Sequence, residues 1–534
     1  MPQSNLTKVT SDLVHELEEA SKLSHYPEDL TKIRVSELTS LPAFAYEKIR
    51  NFIDYKDEFL LRKNAIRRFL KRKFWLPQFN HQPQIAAQAL IRELILARYL
   101  ANNAIPETKI TAVAAILSKY YALFNLLADH KSNIPKWREQ LLGLAAVECD
   151  NQLVSPDFRN AYISFAYKIL KDVLILPDND TEAEPKNVQL IIDIQRALER
   201  ADSDIINYYL LVHYYPYWFN NEPAVAVPAL ANSVDEILLN FKNLNDHELG
   251  RRLLTRVRRL LVPVIILQDI LRDRLDNWRG LLTNAHQLES TVRQTYQKYW
   301  KTTSRKLRRR GWHAIIYIFL TKMVLALLLE IPYERLMLGS INYLSVIINL
   351  LVPPVLMGII TVMIKSPSQA DADMVAMGVN ELVLGYEPNF YRPQPVTKPK
   401  MGLVKKIAYT FLYVATFVGS FGGVIYLLWR LDFNFISGII FIFFVSLVSF
   451  FGISLRQHAR QLKVVRSRET IVAFLLDFFA VPVIAVGKWL SQTFDRVNVF
   501  VFVLDFLFEV PFKTALKIIE DWFQFLKDKK DEMY

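Results

Sequence analysis

The pattern of apolar and polar positions changes character once along the chain, near Gly311. Before that point apolar residues recur every three to four positions among dense charge, the period of helices that bury one stripe. Glu47 to Phe74 sets Ile49, Phe52, Ile53, Leu60, Leu61, Ile66 and Phe69 among lysines and arginines, and Ala86 to Ala104 and Asp157 to Leu176 follow suit. Alternating strand patterns are hard to find. Prolines 77, 83, 106, 135, 156, 177 and 185 punctuate the runs, as prolines near helix ends should. Pro177 to Asn187 reads as a polar acidic loop, and no repeat of fixed period supports a solenoid. From Trp278 to Trp300, Leu281, Ala285, Leu288, Val292, Tyr296 and Tyr299 form one stripe, which predicts a stalk helix.

Beyond Gly311 long uncharged runs appear. A bilayer core needs roughly 20 apolar helical residues. Ile341 to Ile364, Ile407 to Trp429 and Phe433 to Leu455 each supply that length without a charge and are predicted spans. Trp312 to Leu329 is shorter and carries Lys322, at a cost of about 3 kcal/mol that its apolar neighbours can offset. Thr470 to Gly487 with Asp477, and Val497 to Phe512 with Asp505 and Glu509, either span or lie in the interface.

The basic residues order these segments. If all six span, one side collects seven Lys and Arg between Lys298 and Arg310, six between Lys365 and Lys406, five between Arg456 and Arg468 and five between Lys513 and Lys530. Against these twenty-three, the other side holds Arg335, Arg430, Lys488 and Arg496. The flanking basic residues nearest the spans are Arg305, Lys306, Arg308, Arg309, Arg310, Arg456, Arg460, Lys463, Arg466 and Arg468. Positive residues stay inside, which predicts cytoplasmic N- and C-termini in a plasma or inner membrane. The first residues lack the apolar core of a secretory signal.

The expected fold is therefore all-α, an N-terminal cytosolic helical domain followed by a polytopic membrane domain of four to six spans. Its divisions fall at 1–277 (cytosolic helices), 278–311 (basic stalk), 312–364 (first membrane pair), 365–406 (cytosolic helix and Pro-rich spacer), 407–455 (second membrane pair), 456–469 (basic segment) and 470–534 (C-terminal hairpin or interfacial helices with a charged tail).

Composition narrows the chemistry. Of 534 residues 52% are hydrophobic, an average over two unlike halves, and the net charge of +12 is largely membrane-flanking. It points to an anionic inner leaflet, with no nucleic acid expected as a partner. One cysteine removes disulfide frameworks and cysteine-held metal clusters, and fifteen glycines, against a usual ~7%, make phosphate-cradling loops scarce. No histidine pair has metal spacing. Val486 to Trp489 lacks the rest of a phosphate loop, and Gly419 to Gly423 is no nucleophile elbow. No catalytic motif, cofactor or metal site is expected, which leaves enzymatic activity undecided and disfavoured.

The features that remain are few. Lys322, Asp477, Asp505 and Glu509 are ionisable residues at membrane depth, where charges pair or face water. They read as a structural pair between Lys322 and a C-terminal acid, or as a proton or ion relay. Pro353 and Pro354 predict a helix break or kink in the second span. Ala415, Gly419 and Gly423, four apart, predict close helix packing. Asn207 to Phe219 reads as a buried helix end in an aromatic-rich core or as an interfacial belt or ligand-stacking surface, the first preferred, and Arg251 to Leu271 as a basic amphipathic helix facing solvent or lipid. Leu475 to Leu490 and Val503 to Ile519 echo one another faintly. Two functions fit: a scaffold or assembly protein with a cytosolic protein partner, homo-oligomeric or not, and an ion- or proton-coupled transporter or channel.

Overall fold

The computed structural model describes residues 6–24, 30–35, 58–73, 82–130, 134–175, 183–273, 278–326, 330–338, 342–362, 368–396, 402–460, 463–465 and 471–495. Nearly all of these are helical. The chain divides into two compact units, one within Lys8–Leu261 and one comprising Val262–Val499 with Met1–Thr7.

The first unit contains α1 (Lys8–Ser24), α2 (Glu58–Lys73), α3 (Pro83–Leu96), α4 (Thr108–His130), α5 (Ile134–Leu153), α6 (Asp157–Val173), α7 (Ala183–Leu198), α8 (Ser203–Tyr214), α9 (Tyr217–Asn220), α10 (Pro223–Asn245) and α11 (Glu248–Leu260). The helical periodicity expected of this half is what forms, with Pro83 and Pro156 at helix starts. The run expected to continue to Ala104 stops at Leu96. Arg98 and Asn103 take positive φ (59° and 57°), and the Asn102 side chain pairs with both backbone groups of Val35 (3.0 and 2.9 Å), so the apolar residues that follow serve a loop. The aromatic segment closes the core as read: Trp218 is fully buried and packs edge-on against Tyr120 at 5.2 Å.

The dense charge of α2 is not a solvated face. Lys63 is wholly buried between Asp202 and Asp204 at 2.6 Å each, Arg62 grips Asp150 through two bonds (2.5 and 3.1 Å), and Arg67 reaches Asp204 at 2.9 Å. Each buried charge meets an opposite one, as burial at low dielectric demands. Asp202 also caps α8 through the Ile205 N–H.

The second unit contains α12 (Val262–Asp273), α13 (Trp278–Thr283), α14 (Ala285–Leu325), α15 (Ile331–Tyr333) running into a π-helical turn (Glu334–Leu338), α16 (Tyr343–Val362), α17 (Gln369–Leu384), α18 (Leu403–Arg430), α19 (Phe435–Arg460) and α20 (Ile471–Asp495). The expected stalk is interrupted at Asn284, whose side chain accepts from Gln287 N–H and so starts a new helix. From there α14 runs 41 residues, about 60 Å, straight into the Trp312 to Leu329 segment.

The helix expected within residues 365–406 forms as α17, and the described part of the Pro-rich stretch after it is held to that helix. Asp371 forms a capping box with Ser368 and also accepts from the N–H groups of Val464 and Val465 (3.0 and 2.8 Å). Val375, Ala376, Val379 and Val383 of α17 are fully buried, Gly385 ends it at φ 73°, and the Glu381 carboxylate accepts from the N–H groups of Asn389, Phe390 and Tyr391. A buried carboxylate that satisfies three backbone donors fixes the proline-rich loop as part of the fold.

Among the described residues, five helices are long and apolar enough to cross a membrane: Thr108–Ala128, Pro223–Asn245, Tyr343–Val362, Leu403–Arg430 and Phe435–Gln457. The last three are the uncharged spans expected, and the set marks an integral membrane protein. The first two, in α4 and α10, were not expected, because Lys109, Lys119, Asp235 and Glu236 interrupt them. Both bury a face in the core of the first unit, through residues such as Leu117, Leu123, Val234 and Phe241. α20 is one helix through Asp477 and Pro482, with an apolar stretch of Phe478–Ser491. Val497 to Phe512, and with it the second copy of the internal echo at Val503 to Ile519, lies outside the described residues.

Candidate functional site: a buried polar seam between membrane helices

Two stripes of buried residues face each other in antiparallel order, one running from α14 into the segment that follows it and the other along α16. Gly311, Lys322, Ala326, Glu330 and Glu334 lie on one, and Ser345, Asn349, Pro353, Met357 and Thr361 on the other; all are buried. Their contacts run in antiparallel order, from Gly311 against Thr361 at one end to Glu334 against Asn342 at the other. Residues four apart on a helix lie one above another, so each helix presents its polar groups as a single seam.

The centre of the seam is Lys322, 1% exposed. Its ammonium donates to Asn349 Oδ1, and Asn349 Nδ2 donates to Glu330 Oε1 and to the Ser437 carbonyl at 3.3 Å. One buried amide therefore joins a cation to an anion by using both of its ends. The Phe444 and Phe441 rings of α19 lie 4.7 and 5.8 Å from the ammonium, within range for cation–π attraction. Burying an unpaired lysine in hydrocarbon is costly; this cage supplies an acceptor, an opposite charge and two aromatic faces.

Towards the end of α16 a second carboxylate does different work. Glu334 accepts from Asn342 N–H at 2.9 Å and from Asn434 Nδ2 at 2.6 Å. Asn342 and Asn434 are themselves caps: their side-chain oxygens accept from Ser345 N–H (3.2 Å) and Ser437 N–H (2.8 Å), at the starts of α16 and α19. One carboxylate, 1% exposed, thus sits between two helix N-termini, where the peptide dipoles favour negative charge. Asn342 Nδ2 also reaches the Asp432 carbonyl at 3.3 Å, in the turn between α18 and α19.

Not every polar atom of the seam is satisfied by protein. Glu330 Oε2 and the hydroxyls of Ser437 and Ser446 are buried without a hydrogen-bond partner among the described residues. The Glu330 carboxylate, through its other oxygen, and the Ser437 carbonyl both accept from the same Asn349 amide.

The sequence singled out Lys322 and missed Glu330, Glu334 and Asn349. Among the described residues, the carboxylate linked to the ammonium through Asn349 is Glu330. Asp477 lies in α20, with its side chain outside the described residues, as are Asp505 and Glu509 entirely. The legible signal was on the second span, where Ser345, Asn349 and Thr361 share one four-step stripe.

Pro353 and Pro354 do not break α16, which continues through both to Val362. Both residues are buried.

The Ala415, Gly419, Gly423 stripe of α18 is exposed among the described residues; a Cβ on Gly423 would meet open space, and one on Gly419 would stay 3.9 Å from Phe479. The close approaches lie elsewhere. A Cβ on Gly311 would strike Thr361, one on Gly452 would come within 2.6 Å of Ile360, and one on Gly487 would strike the Ser446 carbonyl. These glycines let α14, α19 and α20 pack tightly into the bundle.

Arg305, Lys306, Arg308 and Arg309 are exposed on α14, with Arg309 donating to His313 at 3.2 Å. Arg310 and Arg460 lie in α14 and α19, Arg456 and Lys463 are half-buried, and Arg466 and Arg468 fall outside the described residues. On α11, Gly250, Leu253, Val257 and Leu260 are buried while Arg251 and Arg259 are exposed, so the basic helix packs one face and solvates the other.

Among the described residues no cluster of three or more His, Cys, Asp or Glu is arranged to hold a metal ion. No family model, no curated protein and no solved structure significantly matches this chain.

Proposed function

We propose that this chain is a membrane-anchored scaffold, a helical bundle in a plasma or inner membrane that holds the helical unit of residues 8–261 at the cytoplasmic face, termini inside, for assembly with a cytosolic protein. The observation that carries the reading is the seam. Glu334 ties two capped helix starts, and Lys322 and Glu330 engage opposite ends of Asn349, which is what an anchor needs from buried polar groups. The basic asymmetry supports the orientation and an anionic inner leaflet as the lipid partner.

A second reading, ion- or proton-coupled transport through Lys322, Asp477, Asp505, Glu509 and the Pro353–Pro354 region, is favoured by the unpartnered Glu330 oxygen beside Asn349. One pair of measurements separates the two. In-cell cross-linking and affinity capture of the full chain should return one reproducible cytosolic partner, while proteoliposomes show ion and proton flux no greater than empty vesicles. Flux that Lys322→Met abolishes without reducing folded yield would replace the scaffold reading by the transport one.

A further inference from the structure

α18 is the span least enclosed by its own chain: of its 28 residues only Thr416 and Leu428 are buried. Its contacts are chiefly with α20, and between the two runs a groove of about 480 Å³ lined by Lys406, Tyr409, Tyr413 and Thr416 on one side and Phe478 and Val481 on the other. That volume lies within the ~300–1,000 Å³ range of small-molecule sites. The threonine hydroxyls add little polarity to the walls, because both are spent within the helix. Thr410 donates to the Lys406 carbonyl at 2.9 Å and Thr416 to the Leu412 carbonyl at 2.7 Å.

The groove has a polarity along its length. Its mouth is at Lys406, beside Lys405 in the first turn of α18, where the helix starts from Gly402 without a side-chain cap. Exposed backbone N–H groups, the positive end of the helix dipole and two ammonium groups converge there, a setting that favours an anion. Ten residues further, at Thr416, the lining ends. Ten residues of helix are about 15 Å, half of a hydrocarbon core of about 30 Å. The groove is thus one leaflet deep, basic at the interface and apolar towards the bilayer centre.

We propose that this groove binds an anionic glycerophospholipid, its phosphate at Lys406 and the start of α18, one acyl chain lying between Tyr409, Tyr413 and Phe478. The inference rests on reading the chain as a membrane protein. The lipid belongs to the leaflet that Arg305–Arg310 and Lys405–Lys406 flank, so it packs α18 to the bundle where protein contacts are few.

The test is native mass spectrometry of the full chain released from vesicles of mixed phosphatidylglycerol and phosphatidylcholine. Wild type should retain phosphatidylglycerol in preference to phosphatidylcholine. Lys406→Ala should lower the retained phosphatidylglycerol about fivefold, the effect of one basic residue at an anionic lipid surface. Thr416→Trp, which fills the deep end, should abolish retention of both lipids, and Thr416→Ser should leave it unchanged. Circular dichroism melting of each variant controls for folding. Equal retention of the two lipids by wild type, or undiminished retention by a folded Thr416→Trp variant, would overturn the proposal. Recovery of the chain from the soluble fraction without detergent would instead overturn the membrane reading beneath it.

Discussion

Replacing Glu334 by alanine removes a single acceptor on which two helix starts depend. The carboxylate takes one bond from Asn342 N–H and one from Asn434 Nδ2, and it is 1% exposed, so no water substitutes for it. Hydrogen bonds to a charged group contribute about 1.5–3 kcal/mol each, and a carboxylate at a helix N-terminus adds about 0.3–1 kcal/mol per helix. In lipid the helices persist when the bundle opens and their freed caps find other partners, which reduces these values to a net of about 2–4 kcal/mol for Glu334→Ala. Glu334→Gln keeps one acceptor but turns an NH₂ donor towards a donor, and should lose roughly half as much. The assay is thermal melting of the full chain in lipid nanodiscs, followed by circular dichroism, with residue exchange at the α16 and α19 starts read by hydrogen–deuterium exchange. Loss of protection should concentrate at residues 342–346 and 434–438. A Glu334→Ala protein that melts with wild type and keeps that protection would refute the clamp.

Gly487→Ala should lower the melting temperature by the equivalent of about 1–3 kcal/mol, because its Cβ strikes the α19 backbone at Ser446, which cannot rotate away. Gly423→Ala, placed in open space, should be neutral or stabilise by up to about 1 kcal/mol through helix propensity; equal losses at both positions would contradict the packing described. In the first unit, burial pushes the Asp193 carboxyl up to about 7, against the pull of Arg196 and Arg258. The folded protein then holds a proton that the unfolded chain releases near its ordinary value of about 3.9, so this contribution is full below about pH 4 and lost as pH rises through 7, at up to about 1.4 kcal/mol per pH unit. Asp193→Asn should flatten the dependence of melting temperature on pH between about 4 and 7, and an unchanged slope would exclude Asp193 as its source.

How much of this was legible in the sequence depended on the physics behind each feature. The three uncharged spans were legible because bilayer thickness sets a length that a residue count can meet. The helices of the first unit were legible from their 3.6-residue period, and Trp218 from the density of aromatic residues around it. Lys322 stood out because a charge among apolar residues has few explanations, but its partners did not. Glu330 looked like the edge of a span and Asn349 like a tolerated polar residue, since neither is unusual until two helices are laid side by side. The same blindness explains the glycines. Ala415, Gly419 and Gly423 share a spacing that a reader notices, whereas Gly311, Gly452 and Gly487 act singly, each at one helix crossing. Within residues 365–406 the short helix was legible, but the backbone captures by Asp371 and Glu381 at its two ends were not, because they depend on segments brought together only by folding. α4 and α10 meet the length and apolarity of spans and still bury a face among other helices, a distinction that hydropathy alone does not draw.

The central claim is that the charges within the membrane bundle hold it together. A double-mutant cycle on Lys322→Met and Glu330→Gln tests it most directly, read as folded yield and melting temperature in nanodiscs. Each single variant leaves one buried charge without its counterpart and should lose about 3–5 kcal/mol, while the double variant should recover most of the loss. Single variants that fold and melt as wild type, with the double variant no different, would contradict the account.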